Sequence, residues 1–379
     1  MSLVAKLDRR ALLGAFGGLA AVSLVAGCER KAAAPTAAPL TDLKNHPVKM
    51  TPGGKLSIDD GRYLIALALI HPDPVSTLAA WSGDVNRISP DTYKAFVAKF
   101  PALATLPKTP PSNEEFNVEA VLGARPETAV VSLGSGPTDA QVAQLEGAGV
   151  GVAFIDFFSH PFKNQAASLT LLGRLVGREA QATAFNAFRK AKLDAVASRV
   201  AKLTPEQRPT VFLEAHAGLT PDCCNSPGAG NIGEAIDFVG GRNIGADTIK
   251  QPFGKLSLEY VIQRDPDIYI ATGGPHLAKA GGYVSGPGFT AEQQQAGLRR
   301  VTARRGIAEL KAVREGRAHG LSHQLINSPI DVVAVEVLAK WIHPELFADL
   351  DPKKTLNDIN TQFLAVPYAG DYWADLQKA

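Results

Sequence analysis

From Asn164 to Leu203 the chain reads NQAASLTLLGRLVGREAQATAFNAFRKAKLDAVASRVAKL. Helix formers dominate this stretch. Apolar side chains recur mostly three to four residues apart: Leu169, Leu172, Leu175 and Val176, then Phe185, Phe188, Leu193 and Val196. That period gathers them on one face of a helix, and no proline interrupts the run before Pro205. The stretch predicts one helix over 164–203, roughly 50 Å long at about 1.5 Å per residue. Such a length suits a strut between two bodies better than an element inside one.

The chain on either side of this strut repeats itself. Val118-Glu119-Ala-Val121-Leu122, Arg125-Pro126-Glu127 and Val130-Val131 match Leu258-Glu259-Tyr-Val261-Ile262, Asp265-Pro266-Asp267 and Ile270-Ala271, with an offset of 140 at every position. Each copy reads as a short helix, a turn marked by proline and a buried strand. One copy precedes the strut and one follows it, as two similar lobes require. Further strands are predicted at 63–70 (YLIALALI), 128–133, 150–157, 210–214 and 267–272, with a weaker one around 318–321. Most lack polar alternation, as parallel strands covered on both faces do. Helical stretches at 90–100, 139–147 and 328–343 lie between them. The fold class is α/β, with parallel-sheet lobes over 56–163 and 204–379 joined by one long helix.

The N-terminus has a different character. Lys6, Arg9 and Arg10 precede an uncharged run from Ala11 to Gly27, the layout of a secretory signal. That run is too short and too rich in glycine and alanine for a membrane span. It ends Val25-Ala26-Gly27-Cys28, which resembles the lipobox of bacterial lipoproteins and implies a signal peptide over 1–28 with lipid on Cys28. Arg9-Arg10 fits twin-arginine export and an ordinary signal equally. Residues 29–55, rich in Ala, Pro, Thr and Lys, read as a flexible tether. The net charge of +2 comes from mixed signs, so no nucleic-acid surface is indicated. With Cys28 lipidated, Cys223 and Cys224 remain. In an oxidising compartment they can be free, bonded to each other or bound to a ligand.

Three sets of residues together carry a family resemblance. They are the two repeated units, the phrase Asp237-Phe-Val-Gly240-Gly241-Arg-Asn243-Ile-Gly245, and the C-terminal Asn327-Ser328-Pro329 with Leu338-Ala-Lys-Trp341-Ile-His343-Pro344-Glu-Leu-Phe347. Over residues 55–379 the chain resembles the periplasmic substrate-binding proteins of ABC importers, in the helical-backbone class that captures ferric siderophores, cobalamin, haem or metal ions. The resemblance implies a ligand cleft between the lobes, a lipid-anchored location on the periplasmic side, and an inner-membrane permease and ATPase as partners. It implies an iron complex as ligand, most of all a ferric siderophore, with a bare metal ion as the alternative and no covalent cofactor besides the lipid.

In open α/β sheets ligands gather beyond the carboxyl ends of strands, which selects candidates. After 63–70 come His71, Asp73, Trp81 and Asn86-Arg87. After 128–133 come Gly134-Ser135-Gly136, and after 150–157 comes His160. After 210–214 come His216 and the Pro221–Asn225 loop; after 267–272 come His276 and Tyr283. His319, His323 and Asn327 sit in the last loop. Arg87 suits an anionic ligand, since its planar fork pairs carboxylates. Trp81 could stack on a catechol or porphyrin. His160, His216, Tyr283, His323 and Asn327 complete the ligand-binding set. Loop histidines are as often merely solvated. Cys223, Cys224 and His276 are the candidates for direct metal binding, because thiolates and imidazoles take Cu(I) or Zn²⁺; a strained adjacent disulfide is the structural reading of the cysteine pair. Arg299-Arg300 and Arg304-Arg305 read as a solvated face or as a basic wall of the cleft. No nucleophile elbow, P-loop, dinucleotide fingerprint or HExxH occurs, so the inventory is that of a binder, not an enzyme. A secreted metal-dependent α/β hydrolase and a structural envelope lipoprotein are the readings from other classes.

Overall fold

The two copies of the repeat fold alike in the computed structural model, which describes residues 40–49 and 53–377. Val118–Ala124 and Leu258–Arg264 are short helices. Each stops at a left-handed residue, Arg125 (φ 55°) or Asp265 (φ 37°). Each then leads into an inner strand of a sheet. The first sheet comprises β1 Leu56–Ile58, β2 Leu78–Trp81, β3 Thr128–Ser132 and β4 Gly151–Ile155, all parallel, in the order β2-β1-β3-β4. After two helices come β5 Thr210–Glu214, β6 Asn225–Pro227, β7 Arg242–Asn243, β8 Phe253–Lys255, β9 Ile268–Gly273, β10 Ala318–Ser322 and β11 Trp373–Asp375. Five of these form the second sheet, β11-β10-β9-β5-β7, parallel except for edge strand β11; β6 and β8 pair as an antiparallel ribbon. The architecture is the expected pair of parallel-sheet α/β lobes.

Three expectations need correction. The run 63–70 is a helix, Arg62–Ile70, not a strand. Every residue from Tyr63 to Ile70 is buried, so the helix has no polar face to reveal its period, and an apolar run of that length is ambiguous between the two forms. The strut is two helices, Pro161–Leu175 and Glu179–Val200. Gly177 takes φ +67° just beyond the first, the conformation that ends helices. The two then lie side by side, with Asn186 Nδ2 donating to the carbonyl of Ala166 at 2.9 Å. A Cβ on Gly173 would stand 2.7 Å from that of Ala182, so glycine lets them approach. The second helix, about 33 Å long, packs on Arg62–Ile70 of the first lobe and on Val332–Ile342 of the second. Finally, the tether is shorter than 29–55, because residues 40–48 form a tight turn on the first lobe. Asp42 accepts from the amides of Lys44 (2.8 Å), His46 (2.9 Å) and Phe154 (3.0 Å), and the Leu43 amide donates to the Phe154 carbonyl. This covers the open edge of β4, which would otherwise invite foreign strands. The signal segment and Cys28 lie outside the described residues.

Alternating strand residues serve two layers. Val130 faces a large apolar cluster while Ala129 and Val131 face a smaller one; Val211 and Leu213 face the large cluster while Phe212 faces a third. The large cluster runs through both lobes, from Leu64 and Ile155 through Phe185 and Val196 of the linking helix to Ile270 and Val335. At its centre the buried Arg189 of that helix forks onto Asp331 at 2.8 and 2.7 Å. Gln165 donates to the same carboxylate at 3.2 Å and to the Pro329 carbonyl at 2.8 Å.

Candidate functional site

Strands β5, β9 and β10 are neighbours in the second sheet, so the residues just past their carboxyl ends meet. His216 follows β5, His276 follows β9 and His323 follows β10. His216 Nδ1 lies 2.8 Å from His276 Nε2, and the His216 and His323 rings are 3.8 Å apart. His323 is anchored at both nitrogens, with Nδ1 3.0 Å from Thr272 Oγ1 and Nε2 2.7 Å from Asn327 Nδ2. With the Asn327 amide as donor to Nε2, the His323 proton sits on Nδ1. All three imidazoles are held neutral. Burial pushes His216 down to about 4, aided by His276. It lowers His276 as well, aided by Arg87, and drives His323 well below its usual range, aided by the other two histidines.

The facing wall comes from the first lobe. Past β1 the chain reads Asp59-Asp60-Gly61-Arg62 and enters the helix Arg62–Ile70. Arg62 binds Asp60 through Nε at 2.9 Å and Nη2 at 2.5 Å. The Gly61 amide donates to Asp84 Oδ1 at 2.8 Å. A Cβ on Gly61 would stand 2.3 Å from that oxygen, so a glycine is required there. Burial would raise the Asp60 carboxyl, but Arg62 holds it below its usual value; burial and the Asp60 charge raise Asp84. Behind them Asp59 accepts from the Ser132 amide at 2.8 Å, and burial pushes it up to about 8.

Between the walls lies a cavity of about 600 Å³, lined by Arg62, Arg87, Phe158, the three histidines, Phe253 and Lys255 among others. Phe158 from the first lobe stacks on Phe253 from the second at 5.7 Å, and the Arg62 guanidinium sits over Phe158. Among the described residues the Arg87 side chain has no hydrogen-bonding or ionic partner, and Lys255 has just Asp222 at 3.9 Å. The cavity therefore presents one unpaired cation, Arg87, beside neutral imidazoles, with the Asp84 carboxyl on the same wall. It is suited to receive an anion with groups that accept or ligate.

Of the residues selected from sequence, the structure brings Arg87, His216, His276 and His323 into this cavity. Asn327 stands one step behind, as the partner of His323. His160 lies at a nearby contact between the lobes, its Nδ1 2.5 Å from Glu234 Oε1. Trp81 and Tyr283 are not there. Trp81 is fully buried against Tyr93. Tyr283 fills the second lobe's core over Gly320, where a Cβ would come within 2.2 Å of its ring. Neither His71 nor Asp73 lines the cavity. Cys223 and Cys224 are bonded to each other, and Cys224 is fully buried; a disulfide offers no thiolate to a metal. Among the described residues no group of three or more His, Cys, Asp and Glu is arranged to hold a metal ion. Arg299 and Arg300 are on the outer helix Ala291–Thr302, and Arg304 binds Glu214 at 2.9 Å, so these arginines make no basic wall. Sequence reading missed Asp60, Arg62, Phe158, Phe253 and Lys255.

Residues 67–324 match the family model described as periplasmic binding protein. Among solved structures, the TroA-like periplasmic binding protein FepB from Veillonella parvula is similar with a TM-score of 0.79 at 25% identity, covering 89% of this chain and 99% of that one. The molybdate-bound periplasmic binding protein MolA from Haemophilus influenzae gives a TM-score of 0.67 at 16% identity, with 88% and 99% coverage. CeuE from Helicobacter pylori with Ni(II) bound gives 0.63 at 15%, with 87% and 95% coverage. The last two likenesses are of fold.

Proposed function

From the premise that this chain belongs to the periplasmic binding protein family, whose members bind a solute and work with an ABC permease in the inner membrane, we propose that its solute is an anionic iron complex, a ferric siderophore. The observation that carries this reading is the interlobe cavity of about 600 Å³ with Arg87 unpaired at its wall. The space fits a chelate rather than a bare ion, and the free Arg87 guanidinium matches the negative charge that oxygen-rich ferric chelates carry. Iron keeps its ligands within the chelate, so the cavity recognises the outer surface by charge and by flat aromatic and imidazole faces. FepB, MolA and CeuE bear on the fold of the receptor; the choice of an iron complex rests on the cavity.

Losing a charge-assisted contact costs about 1.5–3 kcal/mol, roughly ten- to hundredfold in affinity. Arg87→Ala should weaken binding of a ferric siderophore by that factor, and its exposed position leaves the thermal transition in place. Fluorescence titration against a ferric siderophore panel and against Zn²⁺ and Cu(I) measures this. Tight binding of a bare ion, abolished by His216→Ala or His276→Ala and indifferent to Arg87→Ala, would refute the chelate reading and establish direct metal binding, for which the 2.8 Å His216–His276 contact provides a start.

The membrane anchor is part of the same proposal. A lipid on Cys28 would hold the receptor at the membrane through a tether that ends where Leu40 packs onto the first lobe. Cys28→Ser should move the protein from the detergent phase to the aqueous phase in a partition assay without changing ligand affinity. Retention in the detergent phase would show that something else anchors it.

A further inference from the structure

The cavity does not end at the first lobe's wall. Asp60, Arg62, Ser112, Asn113 and Phe158 also line a second chamber of about 350 Å³, which continues past Tyr63 to the turn Gly134-Ser135 after β3 and to Ser159 after β4. The two chambers share those five residues as posts, so one ligand can occupy both.

Their chemistry differs. In the annex no cation is free and each carboxylate is already hydrogen-bonded. Asp60 and Arg62 neutralise each other. The Asp156 carboxylate accepts from the amides of Phe158 (2.8 Å), Ser159 (2.7 Å) and His160 (3.0 Å) and from Asn164 Nδ2 (2.7 Å). Tyr63 Oη and Ser132 Oγ satisfy each other at 2.7 Å. The hydroxyls of Ser135 and Ser159 and the side-chain amide of Asn113, by contrast, have no partner among the described residues, and all line the chamber. The annex thus offers neutral donors and acceptors and no spare cation. A carboxylate moved there from water would lose solvation without a free cation to pair with, whereas an amide or hydroxyl would find hydrogen bonds.

We propose that the annex is a second subsite that takes an uncharged, hydrogen-bonding arm of the ligand while Arg87 and Lys255 hold its anionic head. Resting on the iron-chelate reading, this narrows the substrate to chelates with a charged metal-binding head joined to an amide- or hydroxyl-bearing scaffold.

Two synthetic hexadentate probes with the same trianionic ferric tris-catecholate head separate the questions, a triamide probe on a tripodal triamide scaffold and a plain probe on a tripodal hydrocarbon scaffold without amide or hydroxyl groups. The wild-type protein should bind the triamide probe at least about tenfold more tightly. Ser135→Phe and Ser159→Leu fill the annex from two sides. Each should erase that preference and leave the affinity for the plain probe within about twofold. A preference that survives both variants overturns the subsite, as does an equal loss for both probes in both variants. If the wild-type protein binds neither probe, the iron-chelate reading itself fails and the subsite with it.

Discussion

Arg189→Ala should lower the unfolding free energy by about 3–5 kcal/mol, because it strips a buried carboxylate of its counter-charge. Arg189 and Asp331 are 4% and 2% exposed. Both guanidinium–carboxylate contacts are shorter than 3 Å, and among the described residues the one other side-chain donor to Asp331 is Gln165. The arginine also lies over the Phe162 ring, so truncation removes packing together with charge. Replacing both partners by apolar residues, Arg189→Met with Asp331→Leu, should recover most of the loss, since what costs most is the orphaned charge rather than the missing pair. Urea denaturation of the single and double variants measures both effects. A single variant within about 1 kcal/mol of wild type would mean that water reaches Asp331 when the arginine is gone.

The second large effect depends on pH. Asp59 binds its proton in the folded protein up to about pH 8, against an ordinary value of 3.8. The cause is burial, opposed by the Ser132 amide. Between those values the folded state holds a proton that the unfolded chain has released. Stability from this group is therefore complete below pH 3.8 and falls as pH rises, by up to about 1.4 kcal/mol per unit, until the folded acid ionises near 8. Summed over the window this amounts to several kcal/mol. Asp59→Asn keeps the geometry, with its oxygen accepting the Ser132 amide and its nitrogen facing the Ser132 hydroxyl, but cannot ionise. The stability of the variant minus that of wild type should climb by at least about 2 kcal/mol from pH 4.5 to 7.5. A flat difference would show that Asp59 titrates like a solvated aspartate.

How far the sequence revealed the site depended on one misread element. The carboxyl-end rule was sound, and it picked out His216, His276 and His323 because 210–214, 267–272 and 318–321 are strands. It could not show that the three meet, since the order β10-β9-β5 comes from long-range pairing. In the first lobe the rule starts correctly from the strands at 128–133 and 150–157, but after Ile70 it starts from the end of a helix, and of His71, Asp73, Trp81 and Asn86-Arg87 selected there only Arg87 lines the cavity. The true strand β1 has three residues, Leu56-Ser57-Ile58, too short to stand out. The residues past its end, Asp59 to Arg62, went unnoticed. Phe158 and Phe253 were hidden for another reason, because each becomes a wall only when the other lobe faces it. The repeat at an offset of 140 was legible because both copies use the same local device, a short helix stopped by a left-handed residue before a buried strand. The helix break at 176–178 was signalled by Gly173 and Gly177, whose meaning depends on the contact between the two helices.

The apolar cluster that runs unbroken from Leu64 through Phe185 to Val335 also governs how the molecule can respond to its cargo. A wide rotation between the lobes would tear side chains out of that shared interior and expose oil to water at about 25 cal/mol per Å². Capture is then accommodated by slight elastic bending and by side chains at the cleft, not by a clamshell swing. The laden and empty receptors should then keep nearly one silhouette, which leaves the filled seam where the two rims meet as the difference a permease can sense.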